Sequence, residues 1–185
     1  MRLNIIKKSP AEIEAMKEAG RLSAYVLRKV GEAAKPGVST LELDELAETL
    51  IRAEGGIPAF KGYGGFPGSI CASVNDQIVH GIPSSKAILR EGDILSIDTG
   101  ATVDGWVGDN AWTYPIGKVS SDVAMLLETT EKCMWAGLSV TLAMPFRASP
   151  KLKDTELFAI MWVMVSAVIC TKTPMCLIMG ALIAA

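Results

Sequence analysis

Two β-rich runs, "GDILSIDTGATV" and "WVGDNAWTYPIG", meet at Asp104-Gly105, and this junction constrains the chain more than any other feature. Asp-Gly between such runs signals a two-residue hairpin, because both turn positions need φ > 0. A tight turn fixes the register. Val103 then faces Trp106, and counting back along both strands puts Asp109 opposite Gly100. Strand side chains alternate faces, so Asp98 and Gly100 share one, and Asp109 joins Asp98 there as a diagonal neighbour.

Two carboxylates so placed repel. Set among "ILSI" and "NAWTY" they are partly withdrawn from water, so a proton or a cation has to compensate. Hard oxygen ligands accept magnesium, manganese, iron, cobalt or zinc in a site completed by other residues, and one carboxylate can bridge two ions. The competing reading is that both aspartates serve turns or solvent, and a β-bulge would undo the register. His80, in "IVHGIP", is the single histidine of the chain. One imidazole cannot build a histidine-rich zinc site, and alone beside a turn it is more often a hydrogen-bonded structural residue.

The rest of the first two thirds supplies cover for a sheet. In "SPAEIEAMKEAGRLSAYVLRKVGEAAKPG", Ser9 caps a helix, Pro10 suits its first position and Glu12 completes a capping box. Ile13, Met16, Leu22, Val26 and Val30 mark one apolar face until Pro36-Gly37. "STLELDELAETLIRAEGG" repeats the scheme, with Ser39 or Thr40 as cap and Gly55-Gly56 as stop. After Phe60 come glycine-rich loops and short strands, including "SICASVNDQIVHGIP"; "VSSDVAMLLETTEKCMWAGLSV" then resumes a helical pattern with Val123, Leu126 or Leu127, and Met134 on one side. Helices flanking a hairpin-rich sheet predict an α+β domain. At 185 residues one domain is expected.

Composition excludes some functions. The 18 basic and 20 acidic residues are well mixed over the first two thirds, which argues against nucleic acid recognition. Cys71, Cys133, Cys170 and Cys176 form no CxxC pair, and the N-terminus lacks an apolar signal core, so free thiols in a reducing cytoplasm are expected. The mean hydropathy of +0.33 is high, the excess lying in the tail after about residue 156.

Taken together, "SICASVNDQIVHGIP", the hairpin runs and the two leading helices resemble the type I methionine aminopeptidases, metalloenzymes of the pita-bread fold, from the first residues to about Val140. The resemblance implies two divalent metal ions (cobalt, manganese, iron or zinc), with Asp98 a ligand of one and Asp109 contacting both. It makes His80 a substrate-side group that hydrogen-bonds the peptide near the scissile bond. Phe60, Tyr63, Phe66 and Cys71 fall where the family lines its methionine pocket. The implied reaction is metal-activated hydroxide attack on the first peptide bond of nascent chains with a small second residue, in the cytoplasm near the ribosome. Prolidase-like relatives normally carry an additional N-terminal domain, whereas here the catalytic-type sequence begins almost at Met1.

The family needs a further histidine, two glutamates and a second substrate-facing histidine, and none can be placed. The expected division is therefore 1–140 as the first half of a catalytic domain and 141–185 as a divergent apolar tail. "LFAIMWVMVSAVICTKTPMCLIMG" can be tested as a wrong-frame translation by starting every codon one base earlier. Met161 and Trp162 then force valine, the same logic forces glycine across Met164-Val165, and one permitted reading of the whole is "VVRDYVGHGVGRNMHEDPNVPNYG". This looks like the missing family segment, with a histidine in "GHG" and another in "MHE". The expectation is an out-of-frame tail on a truncated, poorly active chain. The alternative is a non-catalytic half-domain binding module, membrane-attached if the tail inserts as a hairpin, although each apolar run is shorter than the roughly 20 residues of a spanning helix.

Overall fold

The computed structural model describes residues 7–139. Helices α1 (Pro10–Ala33) and α2 (Thr40–Ala53) precede strands β1 (Ile57–Pro58), β2 (Ile70–Val74), β3 (Ile94–Val103) and β4 (Trp106–Pro115), and helix α3 (Ser121–Ser139) follows. Both leading helices begin with complete capping boxes. Ser9 accepts from the Glu12 amide while Glu12 reaches back to the Ser9 amide, and Ser39 and Glu42 do the same for α2. Each box satisfies amide donors that no helical carbonyl can reach.

β3 is the spine of an antiparallel sheet. It pairs along one edge with β1 and β2 and along the other with β4. Its two faces differ in kind. Leu95, Ile97, Thr99 and Ala101 are buried beneath the helices, in a core with Leu22, Val26, Val30, Leu43, Ala47 and Ile51. Burying apolar surface in this layer supplies the main driving force, about 25 cal/mol per Å² removed from water. Polar groups on this face are matched across the layers: the Ser23 hydroxyl donates to the Thr99 carbonyl at 2.8 Å, and Tyr114 Oη to the Leu27 carbonyl at 3.1 Å. Gly108 lets β4 meet α1 closely, since a Cβ there would lie 2.2 Å from the backbone of Ala19.

The other face of β3 presents Ser96, Asp98, Gly100 and Thr102, opposite Thr113, Ala111, Asp109 and Val107 once the register and pleat are followed. A face so rich in small and polar residues is not built for a core.

Two local expectations are revised and a third is narrowed to one of its alternatives. Ile13 lies in the first turn of α1 but is 41% exposed and stays outside the core. "SICASVNDQIVHGIP" is strand only from Ile70 to Val74. There Asn75 adopts φ 54° and its side chain ties to Asp93 and Ile94 across the turn, while Val79 and His80 also have positive φ, which ends pairing. In α3 the side chains of Val123, Leu127 and Met134 are half-buried and Leu126 is exposed, so its apolar side is only partly covered among the described residues. The tail reading lies outside the described residues.

Candidate metal centre

The hairpin register is the expected one, with Val103 opposite Trp106 and Gly100 opposite Asp109. Asp98, two residues before Gly100, therefore shares a face with Asp109. Asp98 Oδ1 is sealed from solvent with no hydrogen-bond partner. A buried carboxylate oxygen without a donor is costly, and such an atom marks a place where a cation or proton belongs. Burial pushes the Asp98 carboxyl well above the usual carboxylate range, and the charge of Asp109 and a hydrogen bond to it push it further. Burial raises Asp109 too, but its hydrogen bond with Asp98 works the other way. Without a cation, the pair thus holds a proton more tightly than two free carboxylates would.

Three neighbouring segments close over the pair. Cys71 on β2 lies directly across from Asp98 in register. Its thiol is pushed up to about 12, mainly by burial and then by the charges of Asp98, Asp109 and Asp44, with the His80 amide working the other way. The Phe60 ring packs on Gly100, where a Cβ would meet Phe60 Cε1 at 2.5 Å. Gly81 docks on β2, its amide donating to Ser73 Oγ at 3.0 Å and its carbonyl accepting from the Ala72 amide at 2.9 Å. That docking places the His80 backbone beside Cys71 and leaves the residue exposed. A Cβ on Gly81 would lie 2.3 Å from the Ala72 carbonyl oxygen, so only glycine permits this approach.

The structure thus gathers Asp98, Asp109, Cys71, Phe60 and the His80 backbone. Tyr63 and Phe66 lie on the adjoining loop, in and just after a 3₁₀ turn at Tyr63–Gly65; Tyr63 is 62% exposed and Phe66 half-buried. Asp44, which the sequence reading passed over, is 5% exposed and accepts from the Ser69 and Ile70 amides at 2.7 and 2.9 Å. Burial raises its carboxyl while the two amides oppose that shift. Its signal was present: Thr40, Leu43, Asp44, Ala47 and Ile51 form the buried stripe of α2, and an acid within such a stripe requires donors.

The model of the metallopeptidase family M24 matches residues 14–149. The chain belongs to this family. As an M24 protein it is 53% identical over 134 residues to methionine aminopeptidase 1 of Bacillus subtilis, covering 72% of this chain and 54% of the relative. It is 48% identical over 133 residues to methionine aminopeptidase 1 of Mycobacterium tuberculosis, covering 72% and 50%. Among solved structures, methionine aminopeptidase from Thermotoga maritima superposes with a TM-score of 0.69 at 38% identity, covering 71% of this chain and 53% of that one. An Xaa-Pro dipeptidase from Bacillus anthracis shares the fold at 22% identity, with a TM-score of 0.59 over 69% and 34% of the two chains. The chain spans about half the length of the curated relatives it matches. The pita-bread architecture is therefore present as an incomplete domain.

Membership of a metallopeptidase family implies a divalent metal, and the carboxylate pair fits one: two hard oxygen donors share a face, and Asp98 Oδ1 has no other partner. No group of three or more His, Cys, Asp or Glu side chains able to hold a metal occurs among the described residues. Asp98 and Asp109 are a partial ligand set. No helix among the described residues is long and apolar enough to cross a membrane.

Proposed function

We propose that this chain carries the first half of a methionine aminopeptidase that removes the initiating methionine from nascent cytoplasmic chains with a small second residue, near the ribosome. The observation that carries this reading is the juxtaposition of Asp98 and Asp109 on the polar sheet face, with a buried Asp98 oxygen that has no hydrogen-bond partner. Asp98 and Asp109 would hold the metal, which when bound supplies Lewis acidity and an activated water at neutral pH.

The chain's own residues do the rest. Phe60, Tyr63, Phe66 and Cys71 form the apolar side of the site, where aromatic surface and a thiol suit a flexible thioether. The Phe60 ring excludes water from the sheet at Gly100. His80, exposed at the end of the docked loop, hydrogen-bonds the substrate peptide near the bond that breaks. The similarity to methionine aminopeptidases in identity and superposition exceeds that to the Xaa-Pro dipeptidase, which supports methionine over proline specificity.

We further infer that 141–185 is an out-of-frame translation and that the chain as it stands is inactive or nearly so, because two carboxylates and substrate-side groups cannot replace the missing ligands and general base. A peptidase assay on a methionine-initiated tripeptide with added manganese or cobalt tests both statements. Turnover is expected from a version with that frame restored after about residue 140, and little or none from the present chain. A restored version that binds metal yet stays inert would refute the aminopeptidase reading, whereas robust turnover by the present chain would refute the inferred loss.

A further inference from the structure

Both loops that flank the carboxylate pair are tied to one stripe of α2. Thr40, Asp44 and Glu48 follow one another at four-residue spacing, so they lie one turn apart on the same side of the helix. Thr40 Oγ1 donates to the Ser84 carbonyl at 3.2 Å and accepts from the Ser84 amide at 2.9 Å, gripping the far end of the loop that carries His80. Asp44 Oδ1 takes the Ser69 and Ile70 amides, where the loop bearing Phe60, Tyr63 and Phe66 enters β2. Glu48 takes Lys61 Nζ at 2.5 Å near the start of that loop and Ser69 Oγ at 3.4 Å near its end. The two loops also meet: a Cβ on Gly68 would lie 3.0 Å from both Asp44 Oδ1 and the Pro83 ring.

These ties matter because, apart from Phe60 packing on Gly100 and Gly81 docking on β2, the loops run largely over exposed residues. Gly62, Gly64 and Gly65 take positive φ and are exposed, and Asn75 through His80 are exposed with positive φ at Asn75, Val79 and His80. A β-branched residue at φ 45°, as at Val79, persists only where its surroundings hold it. Thr40 and Asp44 are themselves buried, so each bond lost leaves an unpaired group away from water.

We propose that Thr40, Asp44 and Glu48 form a positioning ladder that holds the two substrate-side loops in register over the Asp98–Asp109 face. The ladder touches neither substrate nor metal and sets how tightly the methionine end of the substrate is gripped. This second statement rests on the aminopeptidase reading.

Amide hydrogen exchange on the intact chain, together with binding of L-methionine by the version with the family frame restored after about residue 140, followed by chemical-shift perturbation, tests the proposal. Thr40→Val and Asp44→Ala should speed exchange roughly tenfold or more at the loop each residue holds, 81–86 and 66–71, with little change in β3 and β4. Asp44→Asn retains the Oδ1 acceptor and should stay near the parent, which keeps the test decisive if Asp44→Ala does not fold. Glu48→Lys should loosen 60–66, and adding Lys61→Glu should restore it. Methionine binding should weaken with each loosened loop. Unchanged loop exchange in Thr40→Val and Asp44→Ala, or acceleration spread equally through β3 and β4, would overturn the ladder. Loop-specific acceleration with no methionine binding by the parent in its frame-restored version would support the ladder as a loop clamp and overturn the aminopeptidase reading instead.

Discussion

Replacing Asp98 by asparagine in metal-free protein should stabilise the fold, and the gain should depend on pH. The substitution keeps the volume and removes one of two like charges on a shared, partly dry face. At the close approach that a hydrogen bond between the carboxyls implies, about 4 Å between charges, and an effective dielectric near 20, Coulomb's law gives a repulsion of about 4 kcal/mol. Protonation of one member relieves part of it, so a net gain of about 1–3 kcal/mol at pH 8 is expected. The sign follows from both carboxyls being raised on folding. A raised carboxyl favours the folded state fully below its unfolded pKa, near 4, and that contribution disappears as pH climbs through the folded value. The parent should therefore lose stability relative to Asp98→Asn as pH rises above about 4, and the two should converge in acid. Urea unfolding in chelator at pH 4.5 and pH 8 reads the difference. A variant less stable than the parent at pH 8, or one whose advantage does not change with pH, would refute the claim that charge repulsion is stored here.

Other substitutions probe the scaffold. Gly108→Ala should cost upwards of about 3 kcal/mol in urea unfolding, because the added Cβ meets α1 backbone rather than a movable side chain. Gly81→Ala should free the His80 loop from β2, seen as rapid exchange of the Ala72 amide, while the helix-side core stays protected. Ser9→Ala should cost about 1 kcal/mol through loss of the cap. Cys71 should resist alkylation at pH 8 until the protein unfolds, whereas half-buried Cys133 labels first; mass spectrometry of the two peptides distinguishes them.

Where local chemistry decides structure, the sequence was a sound guide. Ser9 with Glu12, Ser39 in its own box and Asp104-Gly105 at the hairpin each set a boundary or a register through two or three neighbouring residues. The shared face of Asp98 and Asp109 followed from that turn alone. Contacts between distant segments were less legible. Ile13 sits at the spacing of the α1 apolar face yet stays outside the core, and the turn that follows β2 is held by Asn75 reaching across to Asp93. The α2 stripe marks Asp44 as a buried acid in need of donors, but not which ones: its partners, the Ser69 and Ile70 amides, are backbone groups that no side-chain pattern announces. The close packing of Phe60 on Gly100 is likewise invisible until β1 is known to pair with β3.

The account stands on the two carboxylates acting together as a cation site. Isothermal titration of manganese into the chelator-stripped chain measures this directly, with Asp98→Asn and Asp109→Asn alongside. Weak, saturable binding that either substitution abolishes is the predicted result. Binding that survives both substitutions, or none by the parent in a version with the remaining ligands restored, would contradict it.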